Sequence, residues 1–416
     1  MIRPKRRFYL VVGLFLITAV TATATGFHLF SSLLFILLTT VVVSFLWNWL
    51  MLLGITASTH LSNTHIENGN FINEKVLVKN SSIVPKYGLE IRDLTDMPGY
   101  NGGVVANLRS RSSSTFMLKL TARKRGQYVA GSIEIANIDP FGLFRFEITC
   151  GENQEILVLP RIHNLPDFHI TNADLSGDSS IRKRSSTVTP HASSVRDYAS
   201  GDSLSRVHWG TSARMGKLMS KEFDLGSASE VWIISDLDRS VNFGYMEEST
   251  DEYAASIAAS LSKKYIGSNL PVGLIAYGEK RYFQPADTGA GHLNRLIEYL
   301  AMSRCEGDTL LESVLVNEEP LWTHLTTLVL ITSSPRIQWS ISLRALARRG
   351  VRTIVVLIEA NSFGASFNTT DVLSDLNAIG VPVYIVRKGD NIPHALSVLS
   401  SNVHEGANKF GKESVG

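Results

Sequence analysis

Cysteine is scarce in this chain: Cys150 and Cys305 are the only two in 416 residues. Two thiols cannot build a disulfide framework, and they lack the spacing of a zinc site. That usage fits a reducing compartment, where each reads as a small apolar residue. An excess of one charge is missing too. Forty Lys and Arg face 38 Asp and Glu, leaving +2, which argues against a general nucleic-acid binder. No phosphate-cradling loop stands out. The nearest run, Gly289-Ala290-Gly291, follows no convincing strand and lacks a Lys-Ser/Thr pair. The eleven histidines show no metalloprotease spacing, and near the central stretch Val195–Asp224 no Ser or Cys stands in an activating context. The sequence therefore offers no assembled catalytic constellation.

What it does offer begins with grease. Arg3, Lys5, Arg6 and Arg7 precede Phe8–Thr25, apolar or hydroxyl-bearing throughout, and after Gly26-Phe27-His28 a second run from about Leu29 to Ile55 carries no charge. A membrane span needs about 20 apolar residues, so residues 1–55 read as a two-helix transmembrane hairpin. The basic N-terminus should stay cytoplasmic, and two crossings return the chain to that side. Trp47 and Trp49 sit near the exit of the second span, as interfacial aromatics do. A cleaved signal peptide is the rival reading of the first run, with Thr23-Ala24-Thr25 as its small-residue site.

From 56 to 170 the pattern changes. Lys75–Asn80, Phe116–Leu120, Gly131–Ile135 and Glu155–Pro160 are short runs bounded by Gly, Asn and Pro. Such runs predict an all-β, sandwich-like domain. Asp139-Pro140-Phe141-Gly142-Leu143-Phe144 reads as a turn anchored by two Phe rings. Residues 171–229 read as a linker, with Thr171–Ser194 a polar loop, followed by the central stretch. From 230 to 400 apolar strands alternate with helical segments, which predicts a mostly parallel sheet with helices on both faces. Ligands of such sheets bind beyond the carboxyl ends of the strands. Glu247, Glu248, Asp251 and Glu252 form an acidic run at a helix start and read as a solvated face. Residues 401–416 read as a tail.

The central stretch is dense in Arg and Lys around Val207-His208-Trp209, which looks like a short buried run. Two readings stand. Arg196, Arg206 and Arg214 pair internally with Asp197, Asp202 and Glu222, or they form an anion or acidic-partner site, since the guanidinium fork matches carboxylate and phosphate.

Arg196, Asp197, Tyr198, Gly201, Asp202, Arg206, His208, Trp209, Ala213, Arg214 and Leu218 fall in an order that closely resembles the central motif of the domain-of-unknown-function family 58. Arg125-Gly126-Gln127-Tyr128 and the Asp139–Phe144 turn resemble phrases that end that family's strand-rich part. The resemblance carries no agreed activity. It implies a membrane protein with a C-terminal von Willebrand factor type A-like domain, encoded beside MoxR-type AAA+ ATPases. In such a domain a divalent cation, Mg²⁺ or Ca²⁺, sits on an Asp-x-Ser-x-Ser loop, a Thr and a later Asp. Here the matching positions are Asp236, Asp238 (in place of the middle Ser), Ser240 and Thr309, and Ser333 stands where the last Asp belongs. Arg239 is placed to fold inward and neutralise Asp236 instead. The partner or anion site would comprise Arg196, Asp202, Arg206, His208, Trp209 and Arg214. The expectation is a non-enzymatic, membrane-anchored protein-binding adaptor with cytoplasmic soluble domains, working with such an ATPase. The alternatives are a metal- or anion-dependent hydrolase using the Asp236/Asp238 loop and an envelope-facing structural protein of opposite topology.

Overall fold

The structure is a computed structural model. It describes residues 2–100, 102–168, 192–198, 207, 209–223 and 229–400, in two compact units, Met1–Pro160 and Arg161–Gly416.

The first unit opens with a short strand β1 (Ile2–Pro4), then helices α1 (Arg6–Thr25) and α2 (His28–Leu52). Gly26 ends α1 at φ +65°, a left-handed turn that glycine adopts without strain. Both helices are long and apolar enough to cross a bilayer. Strands β2 (Ile55–Leu61), β3 (His65–Glu67), β4 (Phe71–Asn80), β5 (Lys86–Asp93), β6 (Val104–Leu108), β7 (Ser113–Thr121), β8 (Gly126–Ala130), β9 (Ile133–Ile138), β10 (Phe144–Cys150) and β11 (Gln154–Leu159) follow. They form three sheets in the orders β1-β10-β9-β5-β6, β2-β4-β7 and β3-β11-β8. Along β4 every second residue is buried, which puts Ile72, Glu74, Val76 and Val78 on the inner face. Val76 and Val78 join Leu89, Ile91, Leu118, Ile133 and Ile135 in one core cluster; Ile72 and Leu120 join Met97, Ile156 and Val158 in another.

The hairpin is built into this unit. β1 pairs antiparallel with β10, Lys5 N–H donates to Leu143 O at 2.9 Å, and Arg3 pairs with Glu147 at 2.7 Å. Phe8 and Phe45 pack on Phe144 and Phe146. At the far end of α2, the buried Lys86 ammonium donates to Leu50 O at 2.5 Å, a cation on a helix C-terminus. Since β1 precedes α1 and β2 follows α2, both ends of the hairpin run directly into sheet strands of this unit, β1 in the five-stranded sheet and β2 in the β2-β4-β7 sheet.

In the second unit, 161–168 is a strap along helix α4 (Thr250–Gly267), outside the strand-rich half where the sequence pattern leaves it. Ser256 Oγ donates to Arg161 O, His163 N–H to Ser260 Oγ and Lys264 to Leu165 O, while Phe168 packs on Tyr265 and Tyr384. Strand β12 (Ala192–Asp197) pairs antiparallel with β13 (Met219–Phe223), and helix α3 (Trp209–Met215) lies between them in sequence. Then come β14 (Glu230–Ser235), the short pair β15 (Gly244–Tyr245) and β16 (Glu248–Ser249), α4, β17 (Val272–Tyr277), β18 (Arg281–Asp287), α5 (Ala290–Met302), α6 (Leu311–Glu318), β19 (Thr326–Thr332), α7 (Gln338–Arg348), β20 (Arg352–Ile358), α8 (Thr370–Ile379), β21 (Val383–Val386) and α9 (Ile392–Ala395). The six-stranded sheet runs β18-β17-β14-β19-β20-β21, all parallel except the antiparallel edge β18. Of its central strands, β19 is buried at every position and β14 at all but its first, as a sheet covered on both faces requires. Counted within this sheet the order is 3-2-1-4-5-6. The order in which strands are added reverses between the parallel β14 and β19, and a crevice opens at their carboxyl ends.

Helix α4 is read from the sequence as amphipathic over Tyr253–Ile266; it is buried nearly all round. Ala254, Ala255, Ser256, Ala258, Ala259 and Ser260 are small enough to take the strap on one side and the sheet on the other.

Candidate functional site

The crevice beyond β14 and β19 holds the groups that sequence reasoning singles out after the first α/β strand. β14 ends at Ser235, and the chain turns through Asp236-Leu237-Asp238 into a single 3₁₀ turn, Arg239–Val241. Asp238 caps that turn, its Oδ1 accepting from Ser240 N–H at 2.8 Å. The loop is clamped from outside by Gly307: Arg239 N–H donates to Gly307 O at 2.9 Å and Gly307 N–H to Leu237 O at 3.1 Å. A Cβ at Gly307 would lie 2.3 Å from Tyr277 O and 3.0 Å from Leu237 O, so only glycine fits.

Asp236 is half-buried at the floor. It accepts from Thr332 Oγ1 at 2.6 Å and from Asp238 N–H at 3.2 Å. Burial pushes its carboxyl up to about 6; the Thr332 and Asp238 N–H bonds oppose the shift, the Asp238 charge adds to it, and Arg336 opposes it. Asp238 is 5% exposed. Its Oδ2 lies 3.8 Å from Arg336 Nη1, and Arg336 Nη2 reaches Ser240 Oγ at 3.4 Å. The pocket is tight, a cavity of about 10 Å³ with room for about one water, and Asp236, Asp238, Asn242, Asp251, Cys305 and Thr332 are among its walls.

Several expectations change here. Arg239 does not fold inward onto Asp236; it points out and pairs with Asp308 at 2.7 Å, both side chains well exposed. The cation in that role is Arg336, four residues beyond β19, which sequence reasoning misses because no local signal ties it to a loop 96 positions earlier. Ser333 spends its hydroxyl on Val241 O at 2.7 Å. Asp251 and Glu252 are buried, whereas Glu247 and Glu248 are exposed; the acidic run is split between the cleft and the surface. Of the four residues matched to a metal site, Asp236 and Asp238 line the pocket, Ser240 stands with Arg336, and Thr309 is not among the lining residues. Oxygen donors of this kind suit a hard divalent cation, but Arg336 already engages two of them. No group of three or more His, Cys, Asp or Glu that could hold a metal occurs among the described residues.

The Arg-rich stretch is placed only in part. Asp202, Arg206 and His208 lie outside the described residues, as do Arg182–Arg184 and the tail from Ser401. The backbone of Arg196 pairs opposite Ser220 in the β12–β13 hairpin. Val207 is buried, but Trp209 is 65% exposed at the start of α3, not part of a buried run, and Arg214 is exposed in its last turn. The Asp139–Phe144 turn is anchored by one Phe, since Phe144 is buried and Phe141 is exposed.

Comparison with solved structures finds likenesses of low TM-score. The CARDB domain of PF1109 from Pyrococcus furiosus gives a TM-score of 0.17 at 11% identity, over 24% of this chain and 94% of that one. Spo0M, a sporulation control protein from Bacillus subtilis, gives 0.17 at 13% identity, over 25% and 49%. In sequence the chain is 26% identical over 199 residues to the uncharacterized protein YeaD of Bacillus subtilis (strain 168), which is 47% of this chain and 47% of YeaD. The chain spans about half the length of that curated relative. Residues 194–358, from the β12–β13 hairpin through β20 and including the whole Asp236 crevice, match the family described as Protein of unknown function DUF58.

Proposed function

We propose that this chain is a membrane-anchored protein-binding module. The α1–α2 hairpin holds it in the bilayer, and the crevice beyond β14 and β19 receives a cationic side chain of a partner protein. The observation that carries this reading is the Asp236 carboxylate, held half-buried by Thr332 at the point where the strand order reverses. Among the described residues its hydrogen bonds come from neutral donors, Thr332 Oγ1 and Asp238 N–H, while Arg336 sits on the neighbouring Asp238 and Ser240, so an incoming cation gains a charge–charge interaction in a partly dry cleft. The strand order, with its antiparallel third strand, fits the von Willebrand factor type A-like architecture that the resemblance implies. The same resemblance suggests a MoxR-type AAA+ ATPase as the partner. Arg3, Lys5, Arg6 and Arg7 beside α1 favour a cytoplasmic face for both units. Pairing of Ile2–Pro4 with β10 and packing of Phe8 on Phe144 favour a retained anchor over a removed leader.

A binding test follows. Purified MoxR-type ATPase is titrated against the full-length chain in detergent. Asp236→Asn is expected to weaken binding tenfold or more, about 1.4 kcal/mol, with the melting temperature retained. Equal affinity of the two forms would remove Asp236 from the interface. A second reading, a metal-dependent hydrolase, has one support, the Asp236 carboxyl pushed up to about 6, where an acid–base group works near neutral pH. It requires Mg²⁺- or Mn²⁺-stimulated turnover of phosphoesters that Asp236→Ala abolishes.

A further inference from the structure

We propose that the Asp139–Leu143 turn is a lipid-contacting element, with Phe141 seated among the headgroups of the membrane that α1 and α2 cross. The inference rests on the membrane-anchor reading and adds a second, peripheral contact to it.

Position comes first. Arg7 lies 18 residues before Thr25 on α1, and Leu46 lies 18 residues after His28 on α2. At about 1.5 Å per residue these points are about 27 Å from the hairpin turn, close to the thickness of a hydrocarbon core. One boundary of the span therefore falls at Arg7 and at Leu46-Trp47, where a basic and an aromatic residue suit the interface. The turn hangs at that level. Asn48, fully buried one residue past Trp47, donates to Phe144 O at 3.2 Å and faces Asp139 Oδ1 at 3.5 Å. A Cβ on Gly142 would come within 3.3 Å of Arg7 Nη1.

Shape comes second. Asp139 is buried and accepts from Phe141 N–H at 3.0 Å and from Phe144 N–H at 2.7 Å, while Gly142 takes φ +68°. The turn is thus stiff, and it holds Phe141 outward with 51% of its surface exposed. An exposed ring on a rigid tip loses little entropy when covered. Beside it Lys5, Arg6 and Arg7 are exposed and suit anionic headgroups. A ring with cations around it, level with the end of two apolar helices, has the chemistry of an interfacial anchor.

The test uses the full-length chain with Cys150→Ala and Cys305→Ser, reconstituted into phosphatidylcholine–phosphatidylglycerol vesicles. A nitroxide is placed in turn at Phe141→Cys, at Phe35→Cys on the exposed face of α2 and at Val105→Cys, which is 70% exposed on β6. Collision with O₂ against a water-soluble Ni(II) chelate reads depth. Position 35 is expected to be strongly O₂-favoured, 141 O₂-favoured at the shallow level of headgroups, and 105 Ni-favoured. If 141 behaves like 105 while 35 stays in lipid, the turn does not touch the membrane, although the anchor stands. Position 141 shielded from both colliders would mean that protein covers it, which also overturns the proposal. Position 35 open to Ni would sink the anchor reading, and this inference with it.

Discussion

Replacing Glu74 with glutamine is expected to stabilise the β-rich unit above neutral pH and to flatten its pH profile. Glu74 is fully buried on the inner face of β4, opposite Leu61 on β2 and Leu118 on β7. It sits between the two core clusters, with Ile72 in one and Val76 in the other. Among the described residues neither of its oxygens meets a donor other than the Asp93 carboxyl. The group beside it is another buried carboxyl, Asp93 on β5, whose Oδ2 accepts from Gly131 N–H at 2.9 Å. Desolvation holds the Glu74 carboxyl well above the ordinary range, and sharing a proton with Asp93 and repulsion by its charge add to this. Asp93 is raised by burial too, against hydrogen bonds from Glu74, Gly131 and Thr95 that lower it. Tyr100, in the loop after β5, feels both carboxyls, and burial raises its phenol. Two like charges in one dry site cannot both be tolerated.

The sign follows from linkage. The folded chain keeps a proton that the unfolded chain, with Glu near 4.5, has released. The contribution is complete below the unfolded value and is lost as pH rises toward the folded one. Stability should therefore fall between pH 5 and 9, by as much as about 1.4 kcal/mol per unit for one proton. Glutamine keeps the shape and supplies a donor, its N–H, at every pH, where the acid supplies its O–H only while protonated. Calorimetric melts of the full-length chain in detergent should show the variant gaining on the wild type as pH rises. Parallel profiles for the two would mean that Glu74 holds no such proton.

The second large effect is expected at Gly307. Alanine there would set its methyl carbon against three backbone carbonyls, at 2.3, 3.0 and 3.1 Å. These backbone oxygens, on Tyr277-Gly278 and on Leu237, cannot rotate aside as a side chain can. Accommodation must move the Asp236–Asp238 loop or the end of β17, so a loss of about 4 kcal/mol or more is expected. The site should fail with it, because Gly307 is the residue that clamps Leu237 and Arg239. Gly291→Ala is the matching control. Its added methyl meets nothing within 4 Å, and it lies in the first turn of α5, so alanine should be neutral or gain up to about 1 kcal/mol. Limited proteolysis of the second unit separates the outcomes. A Gly307→Ala chain as resistant as the Gly291→Ala chain would show the clamp to be soft.

Both residues show where the sequence stops speaking. The greasy helices, the alternation in β4 and the unbroken apolar strands β14, β19 and β20 are legible because a local period reflects which faces are covered. Asp236 and Asp238 are legible because they follow such a strand directly. Glu74 sits in the apolar phase of β4, and its chemistry appears only when Asp93 arrives from another sheet. Arg336 is illegible for the same reason: an ion pair across 98 residues leaves no spacing to read. Asp251 and Glu252 look like a solvated helix start, and it takes the packed cleft around α4 to bury them. Ile2–Pro4 is too short to show any period, yet it adds a strand to a five-stranded sheet.

The central claim is that the membrane-held chain grips another protein through the Asp236 crevice. A photo-crosslinking amino acid at Ser240, exposed at the rim of that crevice, tests it in intact membranes of cells carrying the MoxR-type ATPase. The account expects a discrete adduct with that ATPase, formed from the cytoplasmic side and lost when Asp236→Asn is added. No adduct with it, or an adduct indifferent to Asp236, would contradict the account.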